Sequence, residues 1–354
     1  MNEINVDGVV IRYPGLAFIF NPVSVYITAD TEGEFAVIAR GKEIRRNTKG
    51  LVAVFDLSAI AKSLFDRHQF NIVKEKDDIL IKNIQFEIRR FTGSEWVFVS
   101  GGDINLMWGA LQIGETYTQS KTLTSFRSYP FTVPLYITSK INLEVITDTG
   151  ETIDAGSFDP GKYNIDISEF SHYNSIGLYS RIDEKVRVFN YTFSSPFGPQ
   201  LISRHEDLNI RIRFAACPRD GYYLRWINKH GEYNYYLFRH TFENAEVKDS
   251  DVGFDYSYTT TDFTNHYHTG TNKQIGKSVQ RSVRLFASLI DSHDFDIVSD
   301  LPESPVVDMF AGYDNGIPLW IGVNIQPGTF SRGKEHLQDY EFNILLPKTQ
   351  VQTI

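Results

Sequence analysis

The sequence predicts a mainly β protein of two or three sandwich-like or barrel-like domains, with one or two short helices. Three observations predict it. Aromatic residues make up 14% of the 354 residues, with 26 Phe and 19 Tyr against 3 Met, and large aromatics with Val, Ile and Thr fit a pleated, half-buried surface. Short runs of alternating polarity recur at roughly ten-residue spacing with turn signals between them, the pattern of a sandwich or barrel. The chain is also longer than a single hydrophobic core usually fills.

Residues 1–112 read as the first domain. Runs 23–28 and 35–39 are strand-like, and Asp30-Thr31-Glu32-Gly33 between them is a turn. After a short strand at 51–55, Leu57, Ile60, Ala61, Leu64 and Phe65 recur at helical spacing behind a cap from Asp56 or Ser58, with an end expected near Asp66. Runs 79–81, 84–88 and 96–99 resume the strand pattern. Gly101-Gly102-Asp103 reads as a sharp turn before 107–111 closes the domain.

Residues 113–208 read as a middle β domain. Runs 131–137, 141–146, 163–167 and 186–193 are strands, and Asp148-Thr149-Gly150 is a hairpin turn. Residues 194–199 read as a loop or boundary.

Residues 209–354 read as a C-terminal β-rich domain. It opens on 208–214, whose Ile210, Ile212 and Phe214 alternate with Asn209, Arg211 and Arg213. Runs 222–227 and 233–238 flank Asn228-Lys229-His230-Gly231 as a hairpin. Residues 278–290 fit helix and strand alike, with strand favoured. A short helix is expected over Ser292–Leu301, capped by Ser292, with Phe295 and Val298 inward, ended by Pro302 and Pro305. Runs 319–325 and 340–346 close the chain.

Composition removes several functional classes. The net charge is −9 and no block of Lys and Arg stands out, so there is no footprint for sequence-specific nucleic-acid binding. The single cysteine, Cys217, excludes an intramolecular disulfide framework and reads as a small buried hydrophobe. The first eight residues have neither the basic nor the apolar region of a signal peptide. No apolar run approaches the ~20 residues that span a bilayer. Synthesis in a cytoplasm without membrane insertion is expected.

No catalytic motif emerges. There is no Gly-x-Ser-x-Gly elbow, P-loop or Gly-x-Gly-x-x-Gly. His266, His268 and Asp262 share a polar stretch without metal-ligand spacing, which reads as a solvated loop. Asp291, Asp294 and Asp296 miss the calcium-loop pattern and suit a helix N-terminus. No cofactor and no catalytic residue is expected. The positive signal is aromatic: Tyr222, Tyr223, Trp226, Tyr233, Tyr235 and Tyr236 crowd one hairpin. They read as a subunit or domain interface, with core packing or glycan stacking as the alternatives.

Two segments carry a resemblance: Trp108-Gly109-Ala110-Leu111-Gln112-Ile113-Gly114, and the stretch from Gly221 through Trp226 to Gly231. The later runs Leu301-Pro302-Glu303-Ser304-Pro305-Val306-Val307, Leu319-Trp320-Ile321-Gly322-Val323 and Leu337-Gln338-Asp339-Tyr340-Glu341-Phe342 strengthen it. Here the chain resembles structural virion proteins of phages and prophages of gut bacteria. The resemblance implies a tail, neck or baseplate subunit, not an enzyme, whose partners are copies of itself in a ring and neighbouring virion proteins. An acidic balance suits a part near a DNA channel, where like charge prevents sticking. A carbohydrate-binding module or receptor-binding fibre is the first alternative, and a β-rich glycoside hydrolase or depolymerase the second.

Overall fold

The structure, a computed structural model, describes residues 1–65, 75–76, 79–181, 184–194, 198–216, 221–253, 273–328 and 336–353. The fold is mainly β, with several curled sheets and two short α-helices. The chain divides into two compact units. The first comprises Met1–Cys217, Trp226–Tyr235 and Glu303–Val306; the second comprises Pro218–Arg225, Tyr236–Pro302 and Val307–Ile354.

Five sheets fall in the first unit. One orders Asn2–Val6, Val9–Tyr13, Ser24–Ala29 and Val52–Asp56. A second orders Leu16–Phe18, Trp96–Met107, Ile81–Phe91, Glu34–Ala39 and Lys42–Asn47. A third orders Lys121–Phe126, Asn209–Ala215, Ser175–Ser180, Ile141–Thr147 and Thr152–Phe158. A three-stranded sheet (Thr116–Tyr117, Val186–Ser194, Gly198–Glu206) and the pair Thr132–Ile137 with Gly161–Asp166 complete it. Period-two patterning sets their faces: Val9, Ile11 and Tyr13 are buried along one strand, and Ile141, Leu143 and Val145 along another.

The strand Asn209–Ala215 buries Ile210, Ile212 and Phe214, as its alternation predicts. It lies in the first unit, parallel to Lys121–Phe126 and antiparallel to Ser175–Ser180. The expected 1–112 and 113–208 domains both fall within this unit. Long-range pairing of this kind leaves no local signal at a boundary.

Gly101-Gly102 is a correction. The two glycines lie inside the strand Trp96–Met107, not at a turn. A Cβ on Gly101 would sit 2.9 Å from the Phe86 carbonyl oxygen, and one on Gly102 would sit 2.7 Å from the Tyr13 ring. Close approach of neighbours, not chain reversal, requires glycine there.

The helices follow their sequence signals with small shifts. The first spans only Ser58–Lys62, behind the Asp56 carboxylate, which accepts from the Ser58 amide at 2.9 Å. The second spans Ser292–Val298 and buries Phe295 and Val298. Its cap is Asp291, not Ser292: the Asp291 side chain accepts from the His293 and Asp294 amides. Residues 278–290 are strand, within Lys273–Ile290.

The remaining sheet orders Ile317–Gly322, Val307–Asp314, Tyr222–Ile227, Tyr233–Gly253, Lys273–Ile290, Gln338–Leu345 and Asn324–Ile325, with Thr349–Thr353 also on Lys273–Ile290. Its long ribbon pairs Arg239–Gly253 with Lys273–Phe286.

Candidate interaction site

The predicted aromatic hairpin forms, with strands Tyr222–Ile227 and Tyr233–Gly253. Its rings are mostly occupied by packing within the chain. Tyr223, Trp226, Tyr233, Tyr235 and Tyr236 are all buried, and only Tyr222 is half-buried. Tyr235 packs on Phe131 at 5.2 Å and meets the Thr132 hydroxyl at 2.8 Å. Tyr236 packs on Phe238 at 5.0 Å. Tyr222 donates to Glu243 at 2.6 Å and meets His240 edge-on. Of the six residues read as an interface, Tyr222 is the one that is not fully buried within the chain.

The hairpin's tip is held by charge. Glu232 is 2% exposed, and Lys162 is 1% exposed. Tyr117 donates to Glu232 at 2.5 Å, and Lys121 donates at 2.6 Å. Lys162 donates to the Gly231 carbonyl. Burial works to raise the Glu232 pKa, but the charges of Lys121 and Lys162, with hydrogen bonds from Lys121 and Tyr117, outweigh it and hold the carboxyl down at about 2. Beside it, Glu115 accepts from Lys229 at 2.7 Å and pairs with His230 at 3.1 Å. Burial opposes its ionisation too, and the hydrogen bonds from His230 and Lys229 bring it down to about 2. Both groups are held ionised at neutral pH and lie in ion pairs.

The second unit carries an exposed apolar surface on a different hairpin. Val307–Asp314 and Ile317–Gly322 are joined by Asn315 (φ 49°) and Gly316 (φ 81°). Two central residues with positive φ define the tight turn that matches strand twist, and Asn-Gly is its favoured sequence. The outer strand ends the sheet. Alternation puts Ile317, Leu319 and Ile321 on one face, where they are 67%, 46% and 39% exposed. Met309 pairs directly across from Ile321 on that face.

The opposite face of this hairpin is an aromatic stack on an ion pair. Arg225 places Nε and Nη2 each 2.9 Å from Asp308 Oδ2, with both side chains buried. Its guanidinium lies 4.2 Å from the centroid of the Trp320 ring. Trp320 meets Phe310 at 5.5 Å and Tyr223 at 6.1 Å, and Phe310 meets Tyr313 edge-on at 5.0 Å. The covered face fixes the hairpin and leaves the apolar row in solvent. The sequence signals that mark this site are Asn315-Gly316 between two strand runs and the charge-free run 315–331.

Among the described residues, no group of three or more His, Cys, Asp and Glu could hold a metal ion. His266, His268, Asp262 and Cys217 lie outside the described residues. No helix among the described residues is long and apolar enough to cross a membrane.

No protein-family model matches the chain, and no curated protein does. Two solved structures of bacterial adhesins are similar at low level. One is a Ca2+-stabilised adhesin that helps an Antarctic bacterium reach out and bind ice, at 11% identity over 90% of this chain and 72% of that one, with a TM-score of 0.19. The other, from work on host cell surface retention of a 1.5-MDa bacterial ice-binding adhesin, is 9% identical over 96% of this chain and 98% of that one, with a TM-score of 0.17. Likeness this slight carries no argument about function.

Proposed function

We propose that the chain is a non-enzymatic structural subunit of a larger assembly, of the phage-virion kind that the sequence resemblance implies: a tail, neck or baseplate part. In this reading it uses no cofactor, is made in a host cytoplasm and ends in the particle. The observation that supports it is the row Ile317, Leu319 and Ile321, exposed on a hairpin whose other face is held by Trp320 on Arg225 and Phe310. A contiguous apolar row with no cover is the mark of an interaction surface.

The occupant of that row is a second copy of the chain. A subunit of charge −9 repels its copies, and residues 315–331 are a charge-free stretch where they can approach. The contact uses the face rather than the free edge. Asp314 and Ile317 close the turn as a pair, so the next residue, Pro318, turns its backbone outward. Proline has no N–H to give a neighbouring strand, which blunts that edge.

Leu319→Asp tests the contact. Full burial of each such side chain is worth about 1.5–3 kcal/mol, so a charge there is expected to weaken self-association roughly a hundredfold, an amount equal to about 2.7 kcal/mol. Sedimentation equilibrium measures it. Unchanged association in Leu319→Asp would remove this surface from the proposal, and a strictly monomeric unaltered chain would remove the proposal itself.

Glycan binding is favoured by one observation only. Phe310, Tyr313 and Trp320 share the hairpin's other face, and Tyr313 is exposed. Aromatic faces of this kind stack on sugars. A glycan array showing binding that Tyr313→Ala abolishes would select this reading instead.

A further inference from the structure

The edge strand Lys42–Asn47 and the exposed stretch 242–247 carry opposite charge, and we propose that they pair between copies, Lys42–Asn47 of one copy against residues 242–247 of the next. The inference rests on the reading of the chain as an assembly subunit, and it names a second surface, besides the apolar row, by which one copy meets the next.

Lys42–Asn47 ends its five-stranded sheet. It is joined to Glu34–Ala39 by Arg40 (φ 49°) and Gly41 (φ 73°), so Ala39 and Lys42 close the turn as a hydrogen-bonded pair. Backbone direction alternates from there. Lys42, Ile44 and Arg46 turn their backbone groups to the neighbouring strand, and Glu43, Arg45 and Asn47 turn theirs outward. Ile44 is half-buried, and the other five residues are exposed.

Residues 242–247 belong to the long strand Tyr233–Gly253. One edge pairs with Lys273–Ile290. On the other edge the neighbour is Tyr222–Ile227. Counting outward from the Asn228–Glu232 pair at the tip, Tyr222 comes opposite Phe238, so among the described residues that neighbour ends before residue 242. All of Phe242, Glu243, Asn244, Ala245, Glu246 and Val247 are exposed. Successive side chains point to opposite faces, and both faces stay open to solvent, with the Tyr222 hydroxyl on Glu243 and the Arg284 guanidinium 5.4 Å from the Phe242 ring centroid. A stretch of strand whose second edge has no strand beside it among the described residues is a template for another strand.

Charge selects which strand. Lys42–Asn47 carries three cations and one acid, net +2 over six residues. Residues 242–247 carry Glu243 and Glu246 and no cation, net −2 over six residues. Arg45 already pairs with Glu43 at 2.6 Å, so the net charge of each edge does the steering. Either edge against its own copy juxtaposes like charges, and the two edges against each other do not. This selects a head-to-tail contact over a symmetric one. Repeated, a head-to-tail contact builds a closed ring or an open filament. Main-chain hydrogen bonds supply the affinity, as in other strand additions.

The test is a charge swap read by sedimentation velocity at low ionic strength. Arg45→Glu/Arg46→Glu alone, and Glu243→Lys/Glu246→Lys alone, are each expected to raise the self-dissociation constant about tenfold or more. An equimolar mixture of the two is expected to associate again, because each variant then offers the other a complementary edge. Misfolding of either variant cannot produce that recovery. If both variants associate like the unaltered chain, or the mixture does not recover, the edge pairing is overturned while the assembly reading stands. If the unaltered chain is monomeric at every concentration, both are overturned together.

Discussion

Glu232→Gln is expected to lower the stability of the fold by about 3–5 kcal/mol at neutral pH, because it removes one partner from a buried ionic cluster and leaves the other uncompensated. The exchange is nearly isosteric, so it creates no cavity, and the loss reports on charge alone. Lys162 is 1% exposed and draws its compensation from the Glu232 charge and the Gly231 carbonyl. Tyr117 would keep a hydrogen-bond acceptor, whereas Lys121 is only partly buried and can turn to water. The pH dependence gives a second, independent reading. The Glu232 carboxyl is held at about 2 in the folded chain, against an ordinary value of 4.5. A depressed carboxylate contributes stability that is present above 4.5 and lost as the pH falls towards 2, on the order of 3 kcal/mol in all. Glu115 acts in the same window and the same direction. Urea titrations of both proteins at pH 7, 4 and 2.5 should therefore show the gap between them closing with acid. A constant gap would mean that the side chain acts through packing and not through its charge.

The split between what the sequence displayed and what it concealed follows the range of the forces involved. Alternation is local, so the buried set Ile210, Ile212 and Phe214 is readable from seven residues. The assignment of that strand to the first unit depends on Lys121–Phe126, almost ninety positions earlier (89 from Lys121 to Ile210), and nothing in either segment announces the partner. Gly101-Gly102 illustrates a residue with two physical uses. Glycine turns a chain and also admits a close neighbour, and only the nearness of Phe86 and Tyr13 decides between them. The aromatic hairpin shows the same ambiguity at the level of the site. Six rings on one hairpin are legible, but whether a ring is covered is a property of Phe131, Phe310 and Trp320, which arrive from elsewhere. The apolar row at Ile317, Leu319 and Ile321 had a local signal in Asn315-Gly316. Its exposure had none, because a strand at the end of a sheet and one in the middle can share the same pattern.

Arg225→Ala is expected to cost at least as much as Glu232→Gln and, unlike it, to act on the proposed docking surface as well. Asp308 would be left buried without its cation, which by itself is worth about 3–5 kcal/mol. The Trp320 ring would lose a guanidinium stacked 4.2 Å from its centroid, a contact worth up to about 2 kcal/mol when desolvated. Trp320 alternates with Leu319 and Ile321 on the same strand, so fixing the ring would also fix the plane of the apolar row. Freed, the row pays conformational entropy on association, and self-association should weaken even where the chain remains folded. Arg225→Ala/Asp308→Ala separates the two consequences. With both charges gone no buried carboxylate is stranded, so much of the stability should return, as it does when a buried pair is replaced whole. The Trp320 ring remains uncovered in that double variant, so the association defect should persist. Calorimetry for stability and sedimentation for association read the two independently. If association recovers together with stability, the cation over Trp320 has no part in presenting the row, and the hairpin is positioned by its aromatic contacts to Phe310 and Tyr223 alone.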